Sequence, residues 1–184
     1  MITTEPDVRT LALDALAGLL AYPDERTGEA LRAALASLPA AFPAAARELE
    51  PLARAVADTP LHELEELFAR TFDWSSDVAL EIGWHLFGEQ YERGAFLVRM
   101  RELLRGAAVE EGPDLPDHLG SCLRLLARVG AEEAAGLART HVVPATAKIV
   151  AGFGAQPNPY AALLRAVAAA LDDVAGPATP EGGR

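Results

Sequence analysis

Cysteine is almost missing from this 184-residue chain, where Cys122 stands alone. A single thiol excludes an intramolecular disulfide and any zinc or iron–sulfur site built mainly from cysteine. Aromatic residues make up only 6% and isoleucine is scarce, so strands lack the residues that favour them. Cations are also few: 16 Lys and Arg face 27 Asp and Glu, which leaves a net charge of −11. Lys148 is the only lysine among them. That balance argues against duplex nucleic acid and against an anionic membrane leaflet. It suits a basic partner drawn in by long-range attraction. No apolar run reaches membrane-spanning length, and the opening MITTEPDVRT has no basic stretch followed by an apolar one. The expectation is a cytoplasmic protein with no integral membrane segment.

What is abundant is alanine and leucine, the residues that favour helix. With 51% hydrophobic and 23% charged residues, residues 1–175 are expected to form one compact all-α domain of about eight to nine helices. Residues 176–184 should be a disordered tail. Val8, Leu11, Ala12, Ala15, Leu16, Leu19 and Leu20 fall on one helical face that Pro23 should end. Asp24 is placed to cap a second helix carrying Leu31, Ala34, Leu35 and Leu38. A third carries Leu49, Leu52, Ala53 and Val56, with Pro51 at its start or at a kink. Thr59-Pro60 should open a fourth. A fifth is expected from Val78 to Phe87, stopped at Gly88, and a sixth from Gln90 to Gly106. Pro116 should open a seventh, with Leu119, Cys122, Leu123, Leu126 and Val129 inward. An eighth runs from Ala131 to Val150 and is broken or bent at Pro144. After the linker Gln156-Pro157-Asn158-Pro159, a last helix spans Tyr160 to Val174.

Phosphate-binding loops, nucleophile elbows and the paired histidines of zinc proteases are all missing. Glu81 and His85 stand four apart, so one helix would place them on a shared face where they could hold a metal. A plain hydrogen-bonded pair explains the same spacing with less. His118 and Cys122, with Asp114 and Asp117, could suggest zinc. More simply, Cys122 is a core residue, and Asp117 sits in a first helical turn where its charge meets the helix dipole. His62 and His141 need only surface or capping roles. A metal-dependent helical enzyme using Glu81, His85, Asp117, His118 and Cys122 is the alternative these residues leave open. Trp84 and Tyr91 carry polar handles and could line a peptide groove, while Phe87 is better placed in the core.

Several short motifs occur in a distinctive order: Leu20-Ala21-Tyr22-Pro23-Asp24, Phe72-Asp73, Glu81-Ile82-Gly83-Trp84-His85-Leu86-Phe87-Gly88-Glu89, Glu92-Arg93-Gly94 and Leu115-Pro116-Asp117-His118-Leu119. Together they resemble the nitrate reductase assembly chaperones, the NarJ branch of the TorD/DmsD family. The stretches around Trp84 and from Phe96 to Arg101 are similar to the subgroup serving nitrate, chlorate, dimethyl sulfide and ethylbenzene enzymes. The resemblance implies a TorD-like helical bundle, monomeric or weakly self-associating, with no catalytic residues and no stably bound metal or cofactor. Its partner would be the catalytic subunit of a molybdopterin oxidoreductase, held by its N-terminal leader until the molybdenum cofactor is inserted. The leader-binding residues implied are Pro116, Asp117 and His118, joined by Glu81, Trp84, His85, Glu89, Tyr91 and Arg93. A leader that is basic and then apolar would meet an acidic chaperone, with Asp117 accepting from an arginine and Trp84 and Tyr91 against the apolar part.

Overall fold

The computed structural model describes residues 7–155 and 157–177. Eleven α-helices and two π turns account for its regular structure, and no strand occurs among the described residues. In chain order the helices are α1 (Val8–Leu19), α2 (Thr27–Ala41), α3 (Pro43–Glu48), α4 (Glu50–Asp58), α5 (Leu61–Phe68), α6 (Ile82–Phe87), α7 (Tyr91–Gly106), α8 (Leu119–Leu126), α9 (Ala131–Leu137), α10 (Val143–Gly152) and α11 (Pro159–Ala175). The π turns are Ala69–Asp73, following α5, and Ala138–Val142, between α9 and α10. The all-α architecture expected from composition is what the chain adopts. It has more helices than expected because prolines and π turns divide two of the long ones. Pro51 sits in the first turn of α4 and separates it from α3, and Pro144 does the same for α10.

The core is centred on α11, which buries Tyr160, Leu163, Leu164, Val167 and Leu171 against α3, α4, α9 and α10. On the other side, α1 packs between α2 and α8. It buries a wider face than the expected stripe: Leu13 and Ala17 are inside, while Leu11 and Val8 are exposed. Leu35 is likewise exposed on α2. Asp24 does not cap α2. Its carboxylate instead accepts from the Arg26 N–H at 2.8 Å, and its own N–H donates to Thr27 Oγ1 at 2.9 Å. The tail expected over 176–184 lies, from residue 178 onward, outside the described residues, as does Gln156 of the linker.

Two departures matter most for function. The helix expected from Val78 to Phe87 begins only at Ile82, because residues 78–81 are non-helical and Glu81 pairs with His118 in an isolated antiparallel bridge. Ile82 N–H donates to Asp117 O at 3.0 Å and Leu119 N–H to Leu80 O at 2.8 Å. The same bridge keeps Pro116, Asp117 and His118 outside α8, which starts at Leu119. Asp117 therefore does not occupy a first helical turn. Gly88 closes α6 at φ +59°, the left-handed region that glycine reaches most easily.

Candidate functional site

Three segments far apart in sequence meet on one face. The chain leaving α1 brings Leu20 and Tyr22, the first π turn with the end of α5 brings Phe68, Phe72 and Asp73, and the 80–118 bridge brings Leu80, Glu81, Asp114 and His118. They line a cleft of about 190 Å³. Its apolar wall is an aromatic cluster. Tyr22 and Phe68 meet edge to face at 5.6 Å, Phe68 and Phe72 lie 4.8 Å apart, and Tyr160 backs both from the core. Tyr22 is 55% exposed, so this wall has an accessible ring.

The other wall is acidic. Asp73, Glu81 and Asp114 have no cationic partner within 4 Å among the described residues. Carboxylates gathered without counter-ions, beside exposed aromatic surface, make a seat for a cation on an apolar stem. Larger cavities exist, such as one of about 320 Å³ beside α7, α8 and α9, but that one offers a single carboxylate, Glu133.

His118 is the hinge between the cleft and the core. It is the N-cap of α8, where Nδ1 accepts from the Gly120 N–H at 3.1 Å. An accepting Nδ1 leaves the proton of the neutral ring on Nε2. Burial pushes its pKa down, against the pull of Asp114 and Glu81. Asp117 lies behind it, wholly buried. Its Oδ2 accepts from the Gly83 N–H at 2.9 Å. Burial holds this carboxyl above the ordinary carboxylate range, while the Gly83 hydrogen bond and the Arg93 charge oppose that shift.

Of the residues expected at the site, Glu81 and His118 line the cleft, and Pro116 and Asp117 are buried beside it. Glu81 and His85 do not share a helical face, because Glu81 precedes α6. His85 Nε2 instead meets Ala79 O at 2.7 Å. Trp84, Glu89, Tyr91 and Arg93 belong to α6, α7 and the turn between them, away from the cleft lining. There Trp84 Nε1 donates to Ser76 O at 3.1 Å, the Arg93 guanidinium lies 5.6 Å from the Trp84 ring centre, and Tyr91 is 89% exposed. Cys122 is buried with its Sγ 3.7 Å from Asp117 O, and burial pushes its thiol pKa far up. No group of three or more His, Cys, Asp or Glu is arranged to hold a metal among the described residues. Tyr22, Phe72 and Asp73 were not expected as site residues, and Asp114 only as part of a zinc set. The signal for the first three was already in the motifs around Tyr22 and Phe72-Asp73.

The profile of the family described as nitrate reductase delta subunit matches residues 29–166. The chain belongs to that family. Its members are assembly chaperones of molybdoenzymes, not catalysts, and the match supports the NarJ-branch resemblance drawn from the motifs. The matched region contains most of the cleft, with Leu20 and Tyr22 just before it. No curated protein matches the chain. No helix among the described residues of this delta-family chaperone is long and apolar enough to cross a membrane.

Proposed function

We propose that the protein is a cytoplasmic chaperone that binds the N-terminal leader of a nitrate reductase-type catalytic subunit. It holds that subunit while the molybdenum cofactor is inserted, before export or membrane docking, and keeps no cofactor of its own. The observation that carries this reading is the cleft itself, where three carboxylates without counter-ions face an aromatic wall with an exposed ring. A leader arginine fits the acidic side. Its guanidinium can donate two parallel hydrogen bonds to one carboxylate while its stem lies on Tyr22. Neutral His118 adds a donor suited to a backbone carbonyl. The exposed Tyr91, with Trp84, Glu89 and Arg93, forms an outer contact for the apolar continuation of the leader.

The test is a calorimetric titration of the catalytic subunit's leader peptide into the wild type and into the triple variant Asp73→Asn, Glu81→Gln, Asp114→Asn. The variant should bind at least about tenfold more weakly, a loss of about 1.4 kcal/mol, and with a flatter dependence on salt. Equal affinity and equal salt dependence in the two proteins would remove the cleft from the function.

A further inference from the structure

Asp117 is a carboxylate beside the cleft that the proposed contacts leave without a task. It is a buried carboxylate with no exposed surface, so a cation entering the cleft meets Glu81 and His118 and has nothing of Asp117 to touch. One of its oxygens, Oδ2, is spoken for by the Gly83 N–H. Gly83 is built around that bond: a Cβ there would come within 2.6 Å of Oδ2 and 3.1 Å of the Phe96 ring. The backbone of the same residue, Asp117 O, accepts from the Ile82 N–H at 3.0 Å. Asp117 thus grips two successive amides at the start of α6, one with its side chain and one with its main chain.

Those two amides lie immediately after Glu81, and the bridge that pairs Glu81 with His118 is closed on its far side by the Leu119 N–H on Leu80 O. The remaining oxygen of Asp117 and Nε of Arg93 are both buried without a hydrogen-bond partner. Arg93 is near enough for its charge to act on Asp117, although burial outweighs that pull. We infer that Asp117 is a positioning residue: by pinning Gly83 it holds the Glu81–His118 bridge as one wall of the cleft, and it does not itself contact the leader. This rests on the leader-binding reading for its purpose, while the pinning can be read without any leader.

The experiment compares Asp117→Asn, Asp117→Ala and Gly83→Ala with the wild type, in two measurements. The first is amide hydrogen exchange at Ile82, Gly83 and Leu119 in the unliganded protein, which reports local opening of the bridge. Asparagine keeps an acceptor for the Gly83 N–H and should retain protection at all three amides. Alanine at either position should speed exchange there by about tenfold or more while amides of α11 stay unchanged. The second is titration of the leader peptide at a temperature where all four proteins are folded. Asp117→Asn should stay within about twofold of wild type with the same salt dependence, and Asp117→Ala should lose about tenfold. Asp117→Asn binding as weakly as Asp117→Ala, with a flatter salt dependence, would show a direct ionic contact and overturn the inference. Unchanged exchange at Ile82 and Leu119 in Asp117→Ala would overturn it equally. A wild type that ignores the leader would count against the proposed function alone, because the exchange arm still decides what Asp117 holds.

Discussion

The ionisable residues behind the cleft carry opposite pH signatures. Asp117 has a folded-state pKa above its unfolded value, with burial as the main cause. Between those two values the native state holds the extra proton. Its contribution to stability is therefore greatest below the unfolded value near 3.8 and is lost as pH rises through the folded one. His118 has the reverse sign. Its folded pKa lies below 6.5, so its contribution is full above that value and is lost as pH falls through the folded one. Asp117→Asn removes the first of these effects. Urea denaturation at a series of pH values from about 4 to about 7 should show the stability of the variant, relative to wild type, rising with pH. A difference that stays flat would mean that Asp117 does not titrate differently on folding.

At the scale of elements, the cleft depends on how neighbouring segments are tied down. Asn158 is a case in point. Its Oδ1 accepts from the Tyr160 N–H at 2.9 Å and caps α11, while its Nδ2 donates to Thr71 Oγ1 at 2.9 Å on the first π turn. One side chain thus joins the start of the central helix to the turn that presents Phe72 and Asp73. Asn158→Ala should lower unfolding free energy by about 1 kcal/mol for the lost cap, read as a shift in the urea midpoint with unchanged slope. No shift would mean that the cap and tie contribute nothing.

Helix identity was legible at this scale because Ala, Leu and proline placement carry local information. Leu119, Cys122 and Leu123 all turn inward on α8 as their spacing predicts, and Gly88 stops α6 where a stop was expected. The Val78–Phe87 reading failed for a non-local reason. The backbone at 80–82 is drawn into pairing with residues 117–119, and a bridge partner 37 residues away leaves no mark on local periodicity. The same pairing moved Asp117 from a helix turn to a buried strut. Half of the cleft was hidden likewise: Asp73 and Tyr22 stood in recognisable motifs, but only the fold brings them beside Glu81 and Asp114.

For the whole molecule, the excess of acidic over basic residues is more than a long-range field. Some surface charges are paired: Arg128 holds Asp14 through contacts of 2.7 and 3.1 Å, and Glu111 takes both Arg101 and Arg105. At the cleft three carboxylates without an ion-pair partner lie next to accessible aromatic surface. On the proposed reading, a delta-family chaperone with this distribution would attract a basic segment from a distance and seat it at the cleft. Lys148 donates through Nζ to His85 O at 2.6 Å near the end of α6.

The most direct measurement is a chemical-shift map of isotope-labelled protein titrated with the leader peptide of a nitrate reductase catalytic subunit. The account predicts that the largest changes fall on Tyr22, Asp73, Glu81, Asp114 and His118 and saturate together. Changes confined to the cavity around Leu103 and His141, with Tyr22 and Asp73 untouched, would contradict it.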